Sequence, residues 1–285
     1  MTPTKRVEGV KSARTPAARH RNAPAASPVA HDPASRASAM LLVEDRLHRE
    51  GAWREWFHAM AGRFDRLKSG DVEVRLPKMG PFRELAKAFT KEEAVSALAL
   101  EPDFFEDEAL RLSVFRLRCL LMERLKGLPG GDEAVLGFFT TQSALVHTWM
   151  ESDQLGGIAR HVGIDREVLF DWVLSELDHE HPWRNRVGVV FCLSVFVDDE
   201  YARRALEAML SESVRTKAAD HYYLSMSLAW ALTSFVQHDE ALTLSVLEAN
   251  PLDETTAKRF VRKVCESFRS DDAQKARLKA WLGEG

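Results

Sequence analysis

The chain has 285 residues, of which 45% are hydrophobic and 29% are charged, as in an ordinary globular protein. Its longest apolar run covers residues 187–197, about half of the roughly 20 residues that a membrane helix needs, so we expect no membrane-spanning segment. The formal net charge is −4, and a net-acidic chain does not favour nucleic-acid binding.

Residues 1–38 consist mainly of Ala, Pro, Arg and Ser. Such a segment buries too little apolar surface to offset the entropy of ordering, so we predict a disordered basic tail. Its seven Lys/Arg against two acids give +5, which leaves −9 on residues 39–285 because the whole chain carries −4. The tail could hold a polyanion weakly; the alternatives are a tail without a selected function and an upstream start codon, with Met40 as the true start.

Three cysteines, Cys119, Cys192 and Cys265, lie far apart among large apolar residues. We interpret them as buried, reduced thiols. The N-terminal segment has no apolar stretch of the kind that a secretory signal needs. We therefore expect a cytoplasmic protein.

From Met40 onward the hydrophobic pattern has the period of a helix. A short strand is expected only at residues 72–76, just before Pro77. Asp132 and Asp253 follow chain breaks and are expected N-caps. The helices are predicted near residues 40–67, 80–88, 91–100, 106–126, 132–140, 142–151, 153–161, 165–178, 183–196, 199–210, 217–236, 238–249, 253–269 and 271–282.

Consecutive helices with short connections indicate antiparallel pairs of roughly 35–45 residues, which is the spacing of HEAT-like repeats. We predict an all-α fold, with residues 40–285 forming one HEAT-like repeat α-solenoid, an ARM-repeat-like superhelix. Periodicity alone leaves a helical bundle as the alternative. A solenoid would offer a long concave surface for binding, and we expect a monomer.

Five segments follow one another over the helical part of the chain. They are residues 74–87 (VRLPKMGPFRELAK), 148–153 (TWMESD), 183–189 (WRNRVGV), 220–232 (DHYYLSMSLAWAL) and 258–270 (KRFVRKVCESFRS). In this order they resemble the motifs of the DNA alkylation repair family of the AlkD type, most closely the branch with a YYxxMxxAW motif. The resemblance implies a HEAT-like repeat domain that binds duplex DNA.

The same resemblance implies excision of N3- and N7-alkylated purines by a DNA glycosylase that needs no cofactor. Asp153 matches the carboxylate that would stabilise a cationic sugar and activate water. Trp149, one helical turn earlier, and Trp230 match the aromatic walls of such a site. Arg186 matches a residue that holds a backbone phosphate.

Each of these roles has an alternative. Asp153 could cap a helix that begins after it. Trp149 and Trp230 could pack in the core. Arg186 could form a surface ion pair with Glu200 or Asp199. Glu151, beside the proposed site, would repel phosphate if it faced the groove.

Further basic residues are candidate DNA contacts. Arg184 lies in the segment of Arg186, and residues 254–269 form an amphipathic helix whose polar side is rich in cations. A solvated basic face is the alternative for that helix. The candidates on it are Lys258, Arg262, Lys263 and Arg269, with Arg259 beside them.

Other classes of site are disfavoured. His179 and His181 lack a third ligand at metal-site spacing, so we expect no metal. No phosphate-binding or dinucleotide-binding glycine motif is present. Two functions remain: a DNA glycosylase, or a catalytically inactive HEAT-repeat scaffold that binds nucleic acid or a protein partner.

Overall fold

A computed structural model of the chain describes residues 64–98 and 107–283. In these two stretches the chain forms 13 helices and one two-stranded hairpin, which confirms the all-α class. The predicted disordered tail and most of the first predicted helix lie outside the described residues. None of the described helices combines the length and the hydrophobicity that a membrane span requires.

The hairpin consists of β1 (Phe64–Ser69) and β2 (Val72–Pro77), which pair antiparallel. The strand expected at residues 72–76 is confirmed, but the helix predicted to reach residue 67 is wrong at its end. Burial alternates there between adjacent residues, with Leu67 and Ser69 buried, as in a strand. Gly70 makes the turn with a positive φ of 57°, which Gly adopts without steric cost.

The helices follow in chain order. They are α1 (Met79–Ala88), α2 (Lys91–Leu98), α3 (Glu108–Leu125), α4 (Gly131–Leu145), α5 (Trp149–Ala159), α6 (Arg166–Asp178), α7 (Pro182–Val195), α8 (Ala202–Met209), α9 (Glu212–Asp220), α10 (Tyr222–His238), α11 (Glu240–Ala249), α12 (Glu254–Glu266) and α13 (Asp272–Leu282).

Five of these helices form a row in which each packs on the next: α3, α5, α7, α10 and α12. The other eight described helices cover the row: α1 and α2 pack on α3, α4 on α5 and α7, α6 on α7, α9 and α11 on α10, α8 on α7 and α10, and α13 on α12. The hairpin attaches to the start of the row, because Leu67 and Leu76 pack against Leu112 of α3 and Met150 of α5.

The helix predicted to reach residue 269 ends at Glu266, and two stretches divide into helices differently from the prediction. Three helices were predicted over residues 132–161, but the structure has two, because Thr148 and Glu151 form a reciprocal capping box that starts α5. A single helix was predicted over 217–236, but His221 caps a new helix by accepting a hydrogen bond from the backbone of Leu224.

Two predicted N-caps also have different outcomes. The expected cap at Asp132 is wrong: Gly130 is the N-cap of α4, and Asp132 lies in its first turn. The expected cap at Asp253 is confirmed, since its carboxylate accepts from the backbone of Thr256.

A close approach sets the spacing of α5 and α7. A Cβ added at Gly156 would lie 2.5 Å from Cγ1 and 3.1 Å from the carbonyl oxygen of Val190. Gly at this position therefore allows the two helices to approach more closely than any side chain would permit. In the neighbouring core, Cys119 and Cys192 are buried free thiols, as predicted, whereas Cys265 is half-buried.

Candidate functional site

The guanidinium of Arg186, on α7, joins three neighbouring helices. The residue is only 4% exposed. Its Nε donates to Ser152 Oγ at 2.7 Å and its Nη2 to Asp153 Oδ1 at 2.6 Å, both on α5, while its Nη1 donates to the carbonyl oxygen of Tyr223 on α10. Because a guanidinium presents its donors in a rigid plane, these contacts fix the relative positions of the three helices here.

Asp153 lies in the second turn of α5, and its side chain is 27% exposed. Burial raises the pKa of this carboxyl above its ordinary value, although the charge of Arg186 and the hydrogen bonds from Arg186 and Ser152 act to lower it. The capping alternative is wrong, because Thr148 is the N-cap of the helix that contains Asp153.

The alternative partners of Arg186 are also wrong. The carboxylate of Glu200 lies 3.3 Å from Arg166, and that of Asp199 lies 3.0 Å from the ring of His238. Arg186 is instead a buried cation with an anionic partner, an arrangement that compensates the cost of removing its charge from water.

Trp149 begins α5, one turn before Asp153, and is 38% exposed. Its indole Nε1 donates to the carbonyl oxygen of Lys68 at 3.0 Å, and its backbone N donates to Ser69 Oγ at 3.3 Å. Because more than a third of the residue is exposed, Trp149 is not packed in the core, which was the alternative to a role in the site. The hairpin thus holds the indole at the start of α5, one helical turn before Asp153, while part of the ring remains open to solvent.

Tyr223 of α10 contacts both Arg186 and the hairpin turn. Its hydroxyl accepts a hydrogen bond from the backbone N of Gly70 at 2.7 Å, and its ring stacks on Trp183 with centroids 5.3 Å apart. The hairpin thus contacts both α5, through Trp149, and α10, through Tyr223, whose carbonyl oxygen accepts from Arg186. Sequence reasoning missed this arrangement, because the hairpin is distant in sequence from both helices.

Glu151 does not face the groove. It is fully buried, where it accepts from Arg111 Nη2 at 2.7 Å and from the backbone N of Thr148 at 2.9 Å. Its charge is therefore compensated by Arg111 and by the capping box. We therefore do not expect Glu151 to repel a phosphate, because its carboxylate is buried and paired.

Next to Glu151, His147 Nε2 lies 2.8 Å from Glu108 Oε1. This contact and the neighbouring acid raise the pKa of His147 although burial opposes them. Burial acts to raise the pKa of Glu108, but hydrogen bonds from His147 and Arg111 prevail and lower it to about 2. The pair links the start of α3 to the segment that precedes α5.

Trp230 lies elsewhere on the row. It is 39% exposed, so it is not packed in the core either. It lines a cleft of about 960 Å³, and neither Asp153 nor Trp149 lines this cleft. Of the predicted basic residues, Lys263 and Arg269 line this cleft.

The remaining predicted cations lie outside that cleft. Lys258 and Arg262 are exposed on another side of α12, and Lys258 Nζ lies 2.5 Å from Glu254. Arg184 donates through both ends of its guanidinium to the fully buried Glu176 of α6, with Nε 2.9 Å from Oε2. Arg259 donates to Ser225 Oγ at 2.6 Å, which joins α12 to α10.

The histidine pair predicted not to bind metal has another role. His179 Nδ1 accepts from the backbone N of His181 at 3.0 Å, which shapes the link between α6 and α7. Within residues 64–98 and 107–283, no group of three His, Cys, Asp or Glu side chains is arranged to hold a metal ion.

The site thus consists of a half-buried carboxylate, a buried guanidinium and an open indole at the N-terminal ends of adjacent helices. Comparison of the chain with protein-family models, with curated proteins and with solved structures gave no match.

Proposed function

We propose that this chain is a HEAT-like repeat α-solenoid that binds duplex DNA along α5, α7, α10 and α12 and excises N3- or N7-alkylated purines. The observation that carries the proposal is the Asp153 carboxylate, which is held by Arg186, is partly open, and lies one helical turn after the exposed Trp149. The motif resemblance to the DNA alkylation repair family supports the same reaction.

The helix row supports the solenoid part of the proposal. The starts of α5, α7, α10 and α12 are 33, 40 and 32 residues apart, close to the period of HEAT-like repeats. Arg186 joins the starts of α5, α7 and α10, and Arg259 joins α10 to α12 near their starts. The four helices therefore run parallel, and each is followed or preceded by a helix that covers it.

The chemistry fits a carboxylate with this environment. An N7- or N3-alkylated purine carries a positive charge and leaves readily, so the transition state is a cationic sugar that needs an anion and a water molecule. An ionised Asp153 would stabilise that cation and accept a proton from the attacking water. The indole of Trp149 would place the negative face of its ring beside the same cation.

Arg186 fits a positioning role better than a phosphate contact. Its guanidinium is buried and already donates to three acceptors. We infer that it keeps Asp153 ionised and oriented. Contacts with DNA phosphates would then come from exposed cations of the row, such as Arg160 and Arg269.

The second candidate function is a catalytically inactive scaffold that binds nucleic acid or a protein. It is favoured by the charge of −9 on residues 39–285 and by the pairing of Arg184 and Arg186 with acids of the chain itself. Binding to DNA would release counterions and weaken steeply with added salt. A flat salt response would favour a protein partner.

Release of 7-methylguanine from alkylated duplex DNA tests the first proposal. The wild type should release the base, and Asp153→Asn should not. Because that variant leaves Arg186 without its counter-charge, the double variant Asp153→Asn/Arg186→Gln is measured beside it, with circular dichroism to verify the fold. No release by a folded wild type would contradict the enzyme and favour the scaffold.

A further inference from the structure

The cleft that Trp230 lines lies at the C-terminal ends of α5, α7, α10 and α12. It has a volume of about 960 Å³ and includes the side chains of Arg160, Trp230, Lys263, Phe268 and Arg269. Trp230 is 39% exposed and Phe268 is 92% exposed. Two large rings open to solvent in one concave surface are characteristic of a binding site rather than of the outside of a folded chain.

The cleft is positively charged although the chain is acidic. Arg160, Lys263 and Arg269 outnumber the one acid in the lining, Glu266. Among the described residues, Arg160 and Arg269 have no acidic partner, whereas Lys263 lies 3.5 Å from Glu266. The guanidinium of Arg269 lies 5.7 Å from the ring centre of Phe268. Cations and aromatic faces are thus interleaved, a combination that suits a ligand with both a ring and an anionic group.

Helix geometry relates this cleft to Asp153. Arg160 follows Asp153 by seven residues at the end of α5, and Trp230 follows Tyr223 by seven residues on α10. Residues seven apart lie on the same face of a helix, about 10 Å apart along its axis. One DNA strand advances about 3.4 Å per nucleotide, so the cleft lies roughly three nucleotides from the carboxylate.

We propose that this cleft binds an unpaired nucleotide on a DNA strand that also crosses Asp153. Its base stacks on Trp230 and Phe268, and its flanking phosphates contact Arg160, Lys263 and Arg269. A base inside a duplex has both faces covered by its neighbours, so only an unpaired or extruded base can stack there. The inference rests on the DNA binding proposed above and adds a preference for duplexes with an unpaired nucleotide.

The test compares two labelled duplexes of the same sequence by fluorescence anisotropy, one fully paired and one with a single bulged nucleotide. Wild type should bind the bulged duplex about tenfold or more tightly than the paired one. Trp230→Ala and Phe268→Ala should each lose most of that preference, roughly five- to tenfold, because the bulged duplex loses a stacking contact that the paired duplex does not make. Trp230→Phe keeps an aromatic face and should retain most of the preference.

Leu174→Ala is the matched control, since Leu174 is 38% exposed on α6 and does not line the cleft. Equal Kd values of wild type for both duplexes would overturn the inference, as would an unchanged preference in Trp230→Ala. Polyglutamate is also added as a competitor. If it displaces the bulged duplex equally well from wild type and from Trp230→Ala, the cleft binds anions of any kind and the inference is overturned.

Base release from fully paired alkylated duplex is measured on the same preparations. A preference for the bulged duplex without base release would support the cleft and contradict the excision chemistry. Base release without that preference would overturn the cleft and leave the excision proposal standing.

Discussion

Asp153 and Arg186 form an ion pair, with Oδ1 and Nη2 2.6 Å apart, in which the cation is almost fully buried and the anion is partly open. The asymmetry has a functional consequence. The guanidinium is enclosed by protein acceptors on α5 and α10, so it cannot move toward a ligand without losing them. The Asp153 side chain remains 27% exposed, in an orientation that the buried partner sets.

Replacement of Arg186 by Lys should destabilise the protein and impair excision. A single ammonium cannot reproduce a planar contact with Ser152, Asp153 and Tyr223 at once. Loss of a buried partner costs about 3–5 kcal/mol, and we expect the lower part of that range because Lys retains the charge. Urea denaturation measures the loss. Arg203→Lys, at an exposed pair with Glu207, is the control and should leave the midpoint unchanged; an equal effect of both changes would contradict the account.

Gly156→Ala and Gly157→Ala should have opposite effects on stability. A Cβ at Gly156 meets Val190 at 2.5 Å, whereas a Cβ at Gly157 meets nothing within 4 Å. The first change should destabilise by about 1–3 kcal/mol, since α5 must move away from α7. The second should stabilise by about 0.5–1 kcal/mol, because Ala is the better helix former. Thermal and urea denaturation check both, and a neutral Gly156→Ala would contradict the close helix contact.

The Gly156 contact shows what could be predicted from the sequence. Periodicity predicted the helical class and most of the helices, because each buries an apolar stripe that is visible in the sequence. The adjacent glycines gave no sign of which one contacts α7, since that depends on the rotation of α5. The same limit applies to Tyr223 and the hairpin turn, whose contact joins residues 153 positions apart.

Some residues of the site could be predicted from the sequence, whereas the orientation of Glu151 could not, because it depends on where α5 begins. Asp153, Trp149 and Arg186 could be chosen from the motif resemblance; the structure pairs Asp153 with Arg186 and places Trp149 one helical turn before Asp153. Whether Glu151 faced the groove depended on the start of α5. Only the structure places Thr148 at that start, and so turns Glu151 inward toward Arg111.

The pair of His147 and Glu108 should make stability depend on pH. The folded pKa of His147 is raised, so its contribution is fully present below the unfolded pKa of about 6.5 and is lost as pH rises through the folded value. The folded pKa of Glu108 is lowered to about 2, so its contribution is present above about pH 4.5 and is lost as pH falls toward 2.

Wild type should therefore lose more stability than His147→Gln between pH 6 and pH 9. Urea denaturation at the two pH values measures the difference. Because His147 is half-exposed, solvent screening keeps the effect small, at less than about 1 kcal/mol. Parallel losses in the two proteins would show that His147 does not contribute as its contact with Glu108 indicates.

The rate of base release should fall in acid at a higher pH than an ordinary aspartate would give. The proposed reaction needs ionised Asp153, and burial raises the pKa of that carboxyl. Single-turnover rates between pH 4 and pH 8 should decline as pH falls toward the raised pKa of Asp153. A rate that stays constant down to pH 4, in protein that circular dichroism finds folded, would contradict the role of this carboxylate.

The most direct test of the central claim is the single-turnover release of 7-methylguanine from a defined duplex by wild type and Asp153→Asn. We expect release by the wild type and a rate that is roughly 100-fold or more lower in the variant. Asp171→Asn, which changes an exposed acid of α6, should match the wild type. Equal rates for wild type and a folded Asp153→Asn would contradict the claim that this carboxylate performs the chemistry.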